Sequence, residues 1–141
     1  MAFTGNWSCD SFKTGLMNGT FDFTSGTFYM ALYTNDATLN ASTTAYTATG
    51  EVVASGYAAG GLALTIAQAP TVGNSGNTAY ISFDNAVWTS ALTARGALIY
   101  QSGGGNPAVC VLDFGADKTS TTTFTVQFPA VTNTSAIIRI S

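Results

Sequence analysis

The chain has 141 residues, of which 46% are apolar and 12% aromatic, so it can bury a hydrophobic core as a single domain over residues 1–141. Charged residues make up 8%, against about 25% in an ordinary soluble domain. The net charge is −3 and the four basic residues are scattered, which argues against nucleic-acid binding. No apolar stretch reaches the ~20 residues of a membrane span, so we expect no membrane partner.

Residues 1–8 form the first segment and contain neither the basic nor the apolar region of a signal peptide. We therefore expect synthesis in a cytoplasm without export. The segment is polar apart from a few side chains, and we interpret it as an N-terminal arm. Phe3 and Trp7 are its candidate contact residues, because a lone aromatic side chain on an arm more often inserts into a neighbouring subunit than into a sugar site.

One short helix is predicted directly after the arm. Asp10 or Ser8 is the candidate N-cap, and Gly19 is the expected end of the helix. Gly15 in its middle lowers the helix propensity. The predicted apolar side consists of Phe12, Leu16 and Met17.

Segments with alternating apolar and polar residues dominate the rest of the chain and predict strands. Their ranges are residues 27–33, 62–67, 78–88, 93–101, 108–114, 122–128 and 136–140. Turn signals lie at residues 24–26, 73–77 and 102–107, the last with three consecutive glycines that suit a tight reversal. This pattern predicts an all-β fold, a single β-sandwich of jelly-roll or Greek-key type with one short N-terminal helix.

Residues 34–61 form a long polar excursion between predicted strands. The stretch is rich in glycine and alanine, and its large side chains are few. A compact domain rarely contains so long an irregular stretch unless it is functional or contains a strand. We expect a short edge strand over residues 51–54 and interpret the excursion as a contact element. Its candidate interface residues are Tyr46, Val52, Val53 and Tyr57.

Few residues are suited to chemistry. Without histidine, the chain lacks the usual general base and the commonest metal ligand, so we expect neither an enzyme nor a cofactor. Asp113 begins an Asp-Phe-Gly triplet, which we interpret as a strand end that turns into a polar loop. A Ca²⁺ ion shared by Asp113 and Asp117 is the metal alternative. Cys9 and Cys110 are expected to be buried thiols, although the sequence leaves a disulfide open.

Aromatic side chains offer an alternative function as a carbohydrate-binding module. Trp7, Tyr46, Tyr57 and Trp88 are the candidates for stacking on sugars. Trp88 ends a predicted strand and is more typical of a core residue. Trp7 lies in a polar segment and is the better candidate for an external contact.

Several short motifs, taken in their order along nearly the whole chain, resemble a family of small virion proteins of tailed bacteriophages. They lie at residues 11–13 (SFK), 18–20 (NGT), 29–34 (YMALYT), 44–46 (TAY), 51–52 (EV), 55–61 (SGYAAGG), 83–88 (FDNAVW), 93–100 (TARGALIY) and 112–115 (LDFG). Members of this family are similar to capsid decoration, or cement, proteins.

The resemblance implies a non-enzymatic protein on the exterior of the capsid, made in the host cytoplasm. It implies that the protein docks as a dimer or trimer and bridges neighbouring subunits of the major capsid protein. The alternative is a tail or fibre module that binds carbohydrate. A domain with so few charges has little protection at its strand edges, so we expect contact between molecules along at least one edge.

Overall fold

The computed structural model describes residues 3–73 and 76–141. Its fold is all-β and sandwich-like, and the described part of the chain contains one short helix, which confirms the predicted fold class. The elements in chain order are β1 (Trp7–Ser8), α1 (Asp10–Asn18), β2 (Phe28–Tyr33), β3 (Leu62–Ala63), β4 (Ile66–Val72), β5 (Ala79–Phe83), β6 (Ala86–Trp88), β7 (Thr93–Gln101), β8 (Ala108–Thr119), β9 (Phe124–Val126) and β10 (Ile138–Ile140).

Three antiparallel sheets make up the structure. The largest has the strand order β1-β8-β7-β2-β3, the second has the order β10-β5-β4, and the third pairs β6 with β9. β7 and β8 form a hairpin, and the glycines of the predicted turn, Gly103, Gly104 and Gly105, all have positive φ. β2 then pairs with β7 from Phe28 opposite Gln101 to Tyr33 opposite Gly96.

The core is centred on β2, β7 and β8. Consecutive residues on β2, from Met30 to Tyr33, are fully buried, as are Ala97, Leu98 and Ile99 on β7. Burial of consecutive residues means that both faces of these strands are covered. The simple alternation of one buried and one wet face is confirmed at β9, where Phe124 and Val126 are buried and Thr125 is exposed.

The helix begins and ends for different reasons. Cys9, in an extended conformation, is the N-cap and makes no side-chain capping bond, so the prediction of Asp10 or Ser8 as the cap was wrong. Asp10 instead lies in the first turn, where a carboxylate interacts favourably with the helix dipole. Gly19 ends the helix as predicted, with φ of 83° and its N–H donating to the carbonyl of Gly15.

The predicted apolar side of the helix is correct in part. Phe12 is buried and Leu16 packs against the core, but Met17 is 89% exposed. Gly15 is buried against the ring of Phe21, which a Cβ at this position would overlap. Close packing therefore explains a residue of low helix propensity at the centre of the helix.

Two predicted strands are interrupted. The segment 78–88 divides into β5 and β6 at Asp84 and Asn85, and the segment 62–67 divides between β3 and β4. The edge strand expected at residues 51–54 is a single bridge between Glu51 and Tyr33. β8 is longer than predicted because a bulge lets it continue: Ala94 lies opposite Lys118, while Gly96 lies opposite Asp113.

The N-terminal arm packs on its own chain. Phe3 is 1% exposed and lies against Gly96, where a Cβ would overlap the Phe3 ring and come within 2.6 Å of the Leu112 carbonyl oxygen. The Arg95 guanidinium lies over the same ring, 5.6 Å from its centroid. Phe3 therefore belongs to the core, and the exposed residues Trp7 and Ser8 form β1. Met1 and Ala2 lie outside the described residues, as does the centre of the turn predicted at 73–77.

Candidate protein-contact surface

Glu51 organises the long connection between β2 and β3. Its side chain is buried, at 8% exposure, and its carboxylate accepts three hydrogen bonds. The donors are the Tyr57 hydroxyl at 2.7 Å, the Tyr46 hydroxyl at 2.6 Å and the Gly60 N–H at 2.7 Å. A buried carboxylate without water needs such donors to offset its lost hydration. Residues from three parts of the connection therefore converge on one group.

Tyrosine hydroxyls extend this network to the sheet. Tyr57 also accepts a hydrogen bond from the Leu32 N–H at 2.8 Å, so it links Glu51 to β2. The Tyr100 hydroxyl on β7 donates to the Gly60 carbonyl at 2.6 Å, and the Tyr33 hydroxyl donates to the Thr47 carbonyl at 2.7 Å. We call Glu51 and the four tyrosines Tyr33, Tyr46, Tyr57 and Tyr100 the Glu51 cluster.

Burial keeps these hydroxyls protonated. Burial, together with the hydrogen bond to the Glu51 carboxylate, raises the pKa of Tyr46 to about 12. The same two causes raise the pKa of Tyr57 far above its usual value, and burial followed by the charge of Glu51 raises the pKa of Tyr33. Protonated hydroxyls are the form that donates to a carboxylate, so the cluster holds together over the whole neutral pH range.

Backbone hydrogen bonds fix the rest of the connection. The Val52 N–H donates to the Leu32 carbonyl at 2.9 Å, and the Thr34 N–H donates to the Gly50 carbonyl at 2.9 Å. Further along, Tyr46 N–H donates to Asn106 O in the β7–β8 turn at 3.0 Å. Although it contains few strand residues, the segment satisfies many of its backbone groups internally and against the sheet.

The connection presents a neutral surface to solvent. Val53 is 97% exposed, although it follows the buried Val52. Two successive turns follow it, closed by hydrogen bonds from Tyr57 N–H to Ala54 O and from Gly61 N–H to Ala58 O. We call the exposed residues of this stretch the Val53 surface: Val53, Ser55, Gly56, Ala58 and Ala59.

Charge is nearly absent from this region. Residues 34–61 contain two charged side chains, Asp36 and Glu51, and Glu51 is buried in its cluster. Uncharged side chains are removed from water at a lower cost than ammonium or carboxylate groups. Val53 is therefore exposed on a part of the surface where burial against another protein would desolvate no charged side chain.

Three of the six interface residues predicted from the sequence are core residues. Phe3, Val52 and Tyr57 are 1%, 5% and 8% exposed. Phe3 fills the space above Gly96, Val52 packs in the core cluster, and the Tyr57 hydroxyl is bound between Glu51 and Leu32. None of them is available to a partner on this surface, so their proposed contact roles were wrong.

The other three predicted residues differ in position. Tyr46 is half-buried, and its hydroxyl is engaged by Glu51. Val53 and Trp7 are exposed, but they lie on different parts of the molecule. Trp7 is on β1 at one edge of the largest sheet, opposite Val111 of β8, whereas residue 51 of the long connection bridges to Tyr33 of β2, two strands further along the sheet from β8.

The aromatic residues considered for sugar binding are mostly buried. Trp88 and Tyr57 are 4% and 8% exposed, and Trp88 packs against Tyr57 and Phe124. Trp7 is 40% exposed, and its indole N–H donates to the Thr4 hydroxyl at 3.3 Å. Of the four candidates, Trp7 is therefore the most exposed, and none of the other three rings stacks with it in the described part of the chain.

Asp113 of the Asp-Phe-Gly triplet has partners within the fold, and the two cysteines are buried. Asp113 is ion-paired with Arg95 and accepts from the Gly115 N–H at 2.8 Å within β8, so the predicted strand end was wrong. Cys9 and Cys110 are free, buried thiols, and burial raises their pKa values to about 11 and about 12. Within residues 3–73 and 76–141, no three acidic or cysteine side chains are grouped to hold a metal ion.

Comparisons with known proteins returned no match from protein-family models, curated proteins or solved structures. Within the described residues, no helix is long and apolar enough to cross a membrane.

The Glu51 cluster was not identified from the sequence. The sequence pattern hints at it only weakly: Glu51 is a lone acid in a polar stretch, with Tyr46 and Tyr57 five and six residues away. Tyr33 and Tyr100 lie on strands, and their approach depends on the pairing of β2 with β7. That long-range pairing is what brings the hydroxyls to the connection.

Proposed function

We propose that this chain is a structural virion protein of a tailed bacteriophage that binds the outer surface of the capsid. In this role it is a decoration protein that bridges subunits of the major capsid protein and stabilises the head, and it performs no catalysis. The observation that carries the proposal is the Val53 surface, an exposed and uncharged stretch whose backbone is anchored by hydrogen bonds to a buried carboxylate. The resemblance of the sequence motifs to capsid decoration proteins supports it.

The physical properties of this surface suit repeated docking. Valine, serine, glycine and alanine lose little side-chain entropy when they are buried. The Glu51 cluster has already ordered the backbone that displays them, which lowers the cost of binding. A capsid repeats its binding sites, and an oligomer that engages several of them gains strength through effective concentration.

The alternative of a tail or fibre module that binds carbohydrate has less support. Sugar binding would use exposed aromatic rings, and of the four candidates Trp7 alone is markedly exposed while Tyr57 and Trp88 are buried. The two proposals also predict different copy numbers of the protein in the phage particle. A decoration protein occupies sites across the whole shell, whereas a fibre component is present in few copies.

Copy number in purified phage particles that contain this chain separates the two proposals. We expect the chain in amounts comparable to the major capsid protein, measured by densitometry of stained gels or by quantitative mass spectrometry. A few copies per particle would contradict the decoration role and favour the tail or fibre alternative.

A binding experiment tests the Val53 surface itself. Purified chain is mixed with capsid shells of the same phage that lack it, and the bound fraction is measured by co-sedimentation. We expect Val53→Asp to weaken binding about tenfold or more, because it places an unpaired carboxylate in a desolvated contact. Val72→Asp is the matched control, since Val72 is also exposed, at 60%, but lies on β4.

The outcomes of this comparison are distinct. Loss of binding by Val53→Asp with retention by Val72→Asp supports the proposed surface. Retention by Val53→Asp would contradict it, and failure of the unmodified chain to bind shells would contradict the decoration role as a whole.

A further inference from the structure

The sheets leave several strand edges without a neighbour in the described part of the chain, and most of them are protected. β1 and β3 have two residues each. β4 contains Pro70 and two register irregularities, and β10 carries Arg139 at its centre. Short length, proline, bulges and charge are the usual means by which proteins prevent pairing between edges.

β6 is protected by the long connection. The Ser90 hydroxyl, just beyond β6, donates to the Ser55 carbonyl. A Cβ on Gly56 would lie 2.9 Å from the Thr89 carbonyl oxygen, and the Tyr57 ring stacks on Trp88. The chain segment 55–57 therefore lies directly against this end of the β6–β9 sheet.

β9 is also short, at three residues, but it contains no proline, bulge or charged side chain. Residues 119–138 contain no charged side chain, and β9 itself reads Phe124-Thr125-Val126. In the described residues β9 pairs with β6 and with no other strand. An uncharged edge of this kind is a template for a further strand.

The orientation of β9 shows which residue is central to the free edge. The Phe128 N–H donates to the Asn85 side chain on the β6 side at 2.9 Å. N–H groups of alternate residues point the same way, so Phe124 and Val126 direct theirs towards β6. The N–H and carbonyl of Thr125 then point away from β6, and the Thr125 side chain is exposed.

An open groove of about 580 Å³ lies beside this edge. Its walls include β9, residues 127–129 and part of β8. Apolar side chains dominate among the large residues that line it: Leu112, Phe114, Phe124, Phe128 and Ile137. Of its two charged residues, Asp113 is paired with Arg95, which leaves Lys118.

We propose that two copies of this chain pair through β9, antiparallel and about a two-fold axis at Thr125. In this register Thr125 lies opposite the same residue of the second copy, and Phe124 lies opposite Val126. Gln127 lies opposite Thr123. All the paired residues are uncharged, so the edge is complementary to itself although the whole chain carries a net charge of −3. The paired strands also cover part of the apolar groove.

The proposed dimer concerns the free chain and does not rest on the capsid role, so either proposal can fail while the other holds. The test measures the oligomeric state by analytical ultracentrifugation and light scattering. We expect the unmodified chain to form a dimer. Thr125→Lys and Thr125→Glu should each weaken the dimer about tenfold or more, because like charges meet at the axis.

A mixture of the two charged variants tests most directly whether the residues at position 125 of two copies face each other. An equimolar mixture of Thr125→Lys and Thr125→Glu should restore a mixed dimer, since opposite charges then face each other. Thr14→Lys and Thr14→Glu on the exposed face of α1 are the matched controls and should dimerise like the unmodified chain. Circular dichroism verifies that each variant is folded.

A cysteine variant tests the register independently. A hydrogen-bonded antiparallel pair places its Cα atoms about 5.5 Å apart, within disulfide range. Thr125→Cys should therefore form a covalent dimer on mild oxidation, and Thr14→Cys should not. An unmodified chain that stays monomeric, or a dimer that neither the Thr125 charges nor the cysteine affect, would overturn the proposal.

Discussion

Two long stretches of this chain contain little regular structure, and they differ in whether their polar groups find partners within the chain. Residues 34–61 are organised around the buried carboxylate of Glu51, which three donors satisfy. Residues 119–138 carry no charge and contain β9, whose outer edge has no partner strand in the described residues. A buried carboxylate with all its donors in place anchors the backbone of the first stretch, whereas an uncharged strand edge in the second remains available to another chain.

Among single substitutions, we expect the largest loss of stability at Glu51, in residues 34–61. Glu51→Ala leaves the Tyr46 and Tyr57 hydroxyls and the Gly60 N–H without their acceptor. Each buried donor left unpaired costs about 1–3 kcal/mol, so we expect the free energy of unfolding to fall by about 4 kcal/mol. Denaturant unfolding measures the change.

Two further variants at this site sharpen the result. Glu51→Gln keeps one acceptor oxygen and should lose about half as much stability as Glu51→Ala. Asp36→Asn is the matched control, because Asp36 is an exposed acid in the same connection, and it should stay within about 0.5 kcal/mol of the unmodified chain. Equal effects at Glu51 and Asp36 would contradict the role of the cluster.

A smaller effect is expected from removing one hydroxyl. The hydroxyl of Tyr57 donates to Glu51 and accepts from the Leu32 N–H, so Tyr57→Phe leaves a buried backbone donor unpaired. We expect a loss of about 2 kcal/mol in the free energy of unfolding. Tyr29→Phe is the control, since Tyr29 stacks on Tyr100 but its hydroxyl has no hydrogen bond within residues 3–73 and 76–141. A comparable loss at Tyr29 would refute the hydrogen-bond argument.

Alkaline pH should distinguish the two regions without a mutation. Burial raises the pKa of Cys9 to about 11 and that of Tyr46 to about 12, above the ordinary values of 9.0 and 10.0 that the unfolded chain has. The folded state therefore holds these protons more tightly. The stability is unchanged below pH 9.0 and falls as pH rises through the folded pKa values.

Hydrogen exchange and tyrosinate absorbance locate this alkaline transition. Residues 119–138 contain no tyrosine or cysteine, so their local opening should depend on pH only through global unfolding. Opening of residues 34–61 should increase more steeply with pH than opening of residues 119–138, because Tyr46 ionises within the connection whereas Cys9 lies in neither stretch. A uniform loss of protection in both regions would argue against a distinct Glu51 cluster.

The smallest effect is expected at β9 in the isolated chain. Thr125→Lys changes an exposed side chain on a free edge, so the free energy of unfolding of the monomer should change by less than about 0.5 kcal/mol. The measurement is denaturant unfolding at a concentration at which the chain is monomeric. A large loss of stability would show that Thr125 is structurally required, and the dimer test would then depend on the cysteine variant.

The sequence predicted local structure well where one strand or turn determines the pattern. β7 has the predicted bounds, and the turn glycines lie just beyond its C-terminal end. Phe3 was misjudged because its surroundings come from distant segments: the space for it exists only where Gly96 lies opposite Asp113. The donors to Glu51 lie within nine residues of it, but Tyr33 and Tyr100, which complete the cluster, come together only when β2 pairs with β7.

The salt dependence of capsid binding tests the proposed docking through a neutral surface most directly. Co-sedimentation of the chain with shells is measured from low salt to about 1 M salt, where charges are screened within about 3 Å. Contacts of the Val53 kind predict a bound fraction that stays nearly constant. Release of the chain at moderate salt would show that charged groups hold it, and would contradict the account.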